Sequence, residues 1–380
     1  MMFDLPAALK AARSGDTITV PPGEYGAVTL SKANGLTLKG DGATLAGLTL
    51  SACMDVTLEG LSVRLQPTAA TVSSTSAVRV VQSKGITLRD VLARCGVAVA
   101  GLPQDADPNL SRSSVGDAIV GLPIGRALTI DGCVGVTVEG CDLGESHKGI
   151  VLNNSSALRL LRNDIHDTRT GQISGAGVSD VVIEANRLYN SRPWNFGGRG
   201  DHGDFIHLWT EPKYQSEPST EIVIRDNLID QADGFPILGI YLDDNGNGLG
   251  FKNVDISQNV ILNGNGQGVR LERTQGAVMN NWAVQTSGGP GDAPSIRLWD
   301  GCDVTMAGNV MADIYGAIKA AGAMAANTVE LPAVDLAGAA QQRAVWLAQF
   351  RPQPVELQLE LPVIEITLKP GQRLVVTGAV

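Results

Sequence analysis

The sequence predicts one long all-β solenoid, a coil of stacked strands with one turn per repeat. Two observations carry this reading: a recurring asparagine and a composition rich in glycine but poor in aromatics. Asn163, Asn186, Asn227, Asn259, Asn281 and Asn309 each fall five residues after the start of a short apolar strand. The frames begin at Leu158, Val181, Ile222, Val254 and Val304, with Gly276 opening a degenerate copy. Successive spacings are 23, 41, 32, 22 and 28 residues. A base period with insertions is what stacked supersecondary units produce. Asparagine is the non-glycine residue that best tolerates the left-handed backbone of a tight turn, so each is expected to occupy one. Stacked on one another, such side chains can form a hydrogen-bonded ladder.

Composition agrees. Hydrophobic residues make up 43% of the chain but aromatics only 4%, beside 45 glycines. That balance suits a narrow core of Val, Ile and Leu with many tight turns. A net charge of −10 argues against a general nucleic-acid or anionic-membrane partner. Cys53, Cys95, Cys133, Cys141 and Cys302 are odd in number and lack CxxC spacing, so they read as small core residues. Neither a disulfide framework nor a zinc site is expected. The first residues, Met1 to Pro6, lack the regions of a signal peptide, and no apolar run is long enough to span a membrane.

Residues 4–13 read as a short helix with Asp4 as cap and Pro6 in its first turn. Gly15-Asp-Thr-Ile-Thr-Val-Pro-Pro-Gly-Glu-Tyr25 follows. This opening resembles that of the pectate-lyase-like superfamily of right-handed parallel β-helices, in which a short helix and a Gly-Asp-Thr-Ile strand cap the first coil. The resemblance covers residues 4–26 by motif and extends to about residue 325 through the repeat. It implies a parallel β-helix over residues 1–325, a fold that hosts many chemistries. Past residue 325 the pattern breaks. Asp335 to Phe350 reads as a helix, and alternation at Val355–Leu361, Ile364–Leu368 and Arg373–Thr377 predicts strands. Residues 326–380 are expected to form a small β-rich cap or assembly module over the open end.

Counting back from the asparagines finds a second strand in each coil. Its inward residues run from Val28 and Leu48 through Ile173, Ile206, Ile240, Val269 and Ile296 to Ile318, each followed two places on by a partner. Alternation places the intervening residues outside. One outward column reads Thr29, Thr49, Arg79, Thr129, Val151, Ser174, His207, Tyr241, Arg270, Arg297, Lys319. The next ends in Ala176, Trp209, Asp243, Glu272, Trp299 and Ala321. The first half of this face is mostly bland, and from His207 onward it is titratable and aromatic. Loops lengthen at the same place, from Asn190 to Asp201, from Glu211 to Thr220 and after Asp243. Long loops beside one segment of a regular coil build a site wall.

Coils about 4.8 Å apart make this column a strip that suits several sugar units. Trp209 and Trp299 are suited to stack on sugar faces, and Arg270, Arg297 and Lys319 to neutralise acidic groups. Two chemistries fit. In a β-elimination, His207 or Tyr241 is the base beside a uronate whose charge a cation neutralises. In a hydrolysis, Asp243 and Glu272 act as the carboxyl pair, about 5 Å apart and nearer the retaining separation. Asp201, Asp204 and Asp244 are spare carboxylates nearby. His202, Asp204 and His207 have metal-ligand spacing, but alternation sends Asp204 and His207 to opposite faces, so no metal site is expected. Asp243-Asp-Asn-Gly-Asn-Gly248 matches half of a calcium loop and has Val254 where the bidentate Glu belongs. No cofactor is required, and any calcium near Asp243, Asn245 and Asn247 is expected to be weak. His147, Lys148 and His166 look scattered.

The resemblance to polysaccharide lyases and phage tailspikes implies a polysaccharide partner, an extracellular or virion-surface setting, a homotrimer and a virion attachment partner. The aspartate calcium cluster of pectate lyases and the paired-Asp and Gly-His-Gly motifs of polygalacturonases are absent, so no catalytic set carries over. A non-catalytic glycan-recognition spike and a uronan epimerase are the rival readings.

Overall fold

The computed structural model describes residues 3–40, 42–68, 71–96, 123–193, 195–196, 199–288, 292–299, 301–316, 327–329 and 335–351. Among these, three parallel sheets of 11, 12 and 11 strands run the length of a rod. Each coil gives one strand to each sheet in turn, so hydrogen-bonded neighbours are a full coil apart in sequence. Both helices among the described residues are capped by aspartate. Asp4 accepts the Ala7 N–H at 3.0 Å before Leu5–Ala11, and Asp335 accepts the Gly338 N–H at 2.8 Å before Leu336–Phe350. No helix among the described residues is long and apolar enough to cross a membrane.

The core is a continuous Val/Ile/Leu column. In the third sheet Val28, Leu48, Val78, Leu128, Ile150, Ile173, Ile206, Ile240, Val269 and Ile296 stand in register, as alternation predicts. The last step differs from expectation. Ile296 pairs with Ile314, so Tyr315 takes the outward place assigned to Lys319. The cause is a short corner: Val310–Met311 turns into Ile314–Gly316 through Ala312 and Asp313 alone. Ile318, Lys319 and Ala320 lie outside the described residues.

The asparagine ladder is present, but its backbone conformation corrects the expectation. The left-handed position belongs to the residue before each asparagine: φ is 54° at Arg162 and Ala185, 56° at Asp226 and Gln258, and 57° at Asn280. The turn is thus made one residue early, which aims the asparagine side chain inward. There its amide mimics a peptide group. Asn163 donates from both its backbone N–H and its Nδ2 to Asn186 Oδ1, each at 2.9 Å, while Nδ2 also reaches Val138 O. The same pattern repeats through Asn227, Asn259, Asn281 and Asn309 and extends to Asn327. Cys141 holds the equivalent place below Asn163 and donates its N–H to Asn163 Oδ1. All five cysteines are free and buried, and burial pushes the Cys95 and Cys141 thiols up to about 12.

The C-terminal helix lies along the flank of the rod. Its Ala339 and Trp346 cover Leu228, Leu262 and Val284 of the second sheet. Trp346 Nε1 donates to Asp226 O at 2.7 Å, and Arg343 pairs with Asp230 at 2.5 Å. At the far end Arg351 reaches Asp164 and donates to Asn163 O. The strands expected between Val355 and Thr377 lie outside the described residues.

Replacing Asn227 by Ala strands the Asn186 donors and the Ile183 carbonyl in a dry corner. At about 1–3 kcal/mol for each buried polar group left unpaired, we expect a loss of about 3 kcal/mol or more. Urea unfolding followed by circular dichroism measures it, and a change below about 1 kcal/mol would show that the ladder contributes little.

Candidate functional site

The outer column of the third sheet brings Ser174, His207, Tyr241, Arg270, Arg297 and Tyr315 into line. Trp209 and Asp243 pair in the neighbouring column. Glu272 and Trp299 continue it, their N–H groups bonded to the Leu242 and Leu271 carbonyls. The rings stack along the rod. His207 and Tyr241 lie 4.6 Å apart with planes 10° from parallel, and Trp209 leans on His207 at 5.0 Å. The Arg270 guanidinium sits 4.4 Å from the Tyr241 ring centre and 4.7 Å from that of Trp299. Arg297 lies 5.5 Å from the Tyr315 ring. Trp299 and Tyr315 are 51% and 50% exposed, an aromatic surface open to a ligand.

Carboxylates thread this stack. His207 Nδ1 lies 3.3 Å from Asp204 and its Nε2 3.4 Å from Asp243. Strand alternation had assigned Asp204 to the opposite face. The alternation breaks because Phe205 and Ile206 are both fully buried, which returns Asp204 to the His207 side. Asp204 is itself buried and also bonded to the exposed His202 at 3.2 Å, so it positions the two imidazoles. Glu272 Oε1 accepts from the Tyr241 hydroxyl at 2.7 Å and from Arg270 at 2.8 Å. Asp243 and Glu272 follow one another in this outer column on successive coils.

These contacts set the charge states. Burial works to lower the His207 pKa, but hydrogen bonds to Asp204 and Asp243 outweigh it and raise it. The His202 pKa is raised chiefly by its bond to Asp204. Burial opposes ionisation of Asp204, yet the two imidazoles bring it down to about 2. Burial and the bond to Glu272 keep the Tyr241 phenol protonated well above its ordinary range. Asp243 is lowered despite burial, by His207 and the Asn245 N–H.

The other acidic residues hold the loops. Asp201 and Arg169 form an ion pair at 2.6 Å with neither side chain exposed. Asp244 accepts the Gly248 and Gly250 N–H groups and pairs with Arg273, which closes the turn after the strand Leu238–Asp243. Asp243 Oδ1 accepts the Asn245 N–H at 2.6 Å, and Asn247 ties back to Thr210. Among the described residues no group of three or more His, Cys, Asp or Glu side chains is placed to hold a metal. Hollows of about 310 Å³ at Glu272, Arg273 and Trp299 and about 510 Å³ at Arg297 and Tyr315 open along the strip. A larger one, about 690 Å³, lies under the N-terminal helix, where the outward residues Thr29 and Ser31 offer no acid–base pair.

The family model for the right-handed β-helix region matches residues 126–311. The chain is a right-handed parallel β-helix. Among solved structures it is similar to the Streptococcus pneumoniae surface adhesin PfbA, at 14% identity and TM-score 0.50, over 82% of this chain and 86% of that one. It is also similar to the pectate lyase Pel9A (12%, TM-score 0.46, 87% and 76% covered) and the Dettilon tailspike gp208 (11%, 0.47, 78% and 55%). Likeness at these identities is likeness of fold. No curated protein matches the chain in sequence.

A second cluster of the β-helix, on the second sheet, was not foreseen. His166 stacks on Tyr189 at 4.9 Å, and Arg187 lies 3.9 Å from the Tyr189 ring. Burial lowers the His166 pKa, but Asp142 at 2.8 Å and Asp167 at 2.5 Å overcome it and raise it to about 9. Arg94 completes the network by bonding Asp142. The signal was a constant offset: His166 and Tyr189 each stand three residues after a ladder asparagine.

The Asp204 bridge makes the stability of the β-helix depend on pH at both ends. Its carboxylate contributes fully above the ordinary 3.8, and the contribution is lost as pH falls towards about 2. The raised pKa values of His202 and His207 contribute fully below 6.5, and that contribution is lost as pH rises through the folded values. Denaturant midpoints across pH should therefore fall at both extremes, and Asp204→Asn should flatten both limbs. An unchanged profile in the variant would refute the bridge.

Proposed function

We propose that the outer face of the third sheet binds an acidic polysaccharide lengthwise and hydrolyses it at the coil step between Asp243 and Glu272. The observation that carries this is the unbroken His207–Tyr241–Arg270–Trp299 stack with Asp243 held at His207 and Glu272 held at Tyr241. Exposed Trp299 and Tyr315 offer apolar faces to sugar rings. Between them Arg297 makes no ion pair among the described residues, its Nε bonded only to Ser295, and it is the cation for a sugar carboxylate.

Hydrolysis uses both carboxyls and one water: one carboxyl gives its proton to the glycosidic oxygen as the bond to the sugar breaks, and the other takes a proton from the water that bonds to the anomeric carbon. Tyr241 and Arg270 orient Glu272, and the His207 imidazolium offsets the remaining negative charge. The elimination route fits less well. It needs His207 or Tyr241 as base, and the raised pKa of each favours its protonated form. A polymer of this kind coats cells, which places the work at an extracellular or virion surface.

Incubation with a panel of capsular and uronate polysaccharides tests the proposal. We expect new reducing ends without the ultraviolet absorbance of an unsaturated sugar. Asp243→Asn and Glu272→Gln should each slow release by about 10²–10⁴-fold, while Arg297→Ala should raise KM with kcat little changed. Activity should fall as pH rises through the His207 value, above 6.5. Absorbance would replace hydrolysis by elimination, and altered sugar configuration without scission would mean epimerisation. Retention without any product would make the strip a recognition surface.

A further inference from the structure

Beside the first coil of the stack lies a pocket of about 430 Å³ that the strip itself does not use, within the range of small-molecule sites, about 300–1,000 Å³. One wall is apolar and made by Phe235, Pro236, Ile237 and Leu238. Phe235 is 57% exposed although its backbone is held firmly, its N–H bonded to Ser191 O at 2.8 Å. Gly234 packs so closely that an added Cβ would come within 2.5 Å of the same oxygen. The wall is therefore preformed, and its exposed ring is unusual in a chain with so few aromatics.

The polar lining is one-sided. Asn265 uses its Oδ1 to accept the Gln267 N–H at 2.9 Å, which leaves its NH₂ as a donor. His202 Nδ1 is engaged by Asp204, a bond that favours the doubly protonated ring, and in that form Nε2–H is left to donate. Asp201 also lines the pocket, but both its oxygens are bonded to Arg169. The site thus combines an apolar surface with two donors and lacks a free carboxylate. A sugar hydroxyl, both donor and acceptor, would meet no side-chain acceptor that is not already engaged. An acetyl group has a methyl, a carbonyl acceptor and no donor.

The structure assigns this pocket to an acetyl substituent on the glycan that occupies the strip. The inference rests on the glycan reading above and adds its substrate class, an O-acetylated acidic polysaccharide. The placement is continuous with the site: Leu238 pairs with Asp204 across the coils, and Asp204 bridges His202 to His207. A chain lying along the stack would present substituents of the sugar at His207 sideways into the pocket.

Bacterial alginate in its O-acetylated form, and the same polymer after mild alkaline deacetylation, are the probes. Binding is measured by titration and by saturation-transfer NMR on the acetyl methyl. The parent should bind the acetylated form about tenfold more tightly, with strong transfer to the methyl. Asn265→Asp keeps the acceptor for Gln267 and loses the donor, and Phe235→Ala removes the exposed ring. Each should abolish the preference while leaving affinity for the deacetylated polymer unchanged, which also reports that the variant is folded. Equal parent affinity for both forms, or variants that keep the preference, would overturn the acetyl pocket and leave the strip reading intact. Binding of neither polymer by the parent would remove the uronate reading and this inference with it.

Discussion

Parallel pairing between successive coils is the constraint on which every other feature depends. It converts large sequence separations into contacts, and the asparagine ladder locks it at one corner. Each ladder amide both accepts from and donates to its neighbours, so a slipped coil would leave several buried groups unpaired at once. The stack of His207, Tyr241 and Arg270 exists because those residues occupy equal positions in three consecutive turns. No local sequence signal would bring them together.

The site is built from alternating charge more than from shape. His202, Asp204, His207 and Asp243 form a chain in which each group stabilises the charged form of the next. Tyr241, Glu272 and Arg270 form a second chain on the next coils. The two chains run beside the open aromatic surface of Trp299. The Asp201–Arg169 and Asp244–Arg273 pairs hold the flanking loops, so the centre keeps its geometry without borrowing stability from substrate.

Much of the fold was legible because a strand has period two and a coil repeats. The core columns and the outward positions of His207, Tyr241, Asp243, Arg270 and Glu272 followed from that arithmetic. It failed where the backbone departs from the rule. Consecutive burial of Phe205 and Ile206 moved Asp204 to the other face, and the two-residue corner at Ala312 and Asp313 moved the last outward place to Tyr315. The left-handed residue before each asparagine was invisible, since Arg, Ala, Asp and Gln all fill it. His166 escaped because its partners come from neighbouring coils of a sheet whose columns were never aligned.

The helix Leu336–Phe350 makes a long-reaching contact. It begins against the coil of Gln285, where the Asp335 N–H meets a carbonyl, and ends against that of Asn163. A stack of turns otherwise holds together only neighbour to neighbour, so it could fray one layer at a time from an end. This strut ties layers at the middle of the rod to layers near its top, through Arg351, Arg343 and Trp346. Peeling any one of them must first release the strut, which makes that whole stretch come apart as a unit. The turns that carry His207, Tyr241 and Arg270 fall inside it, and so share that rigidity.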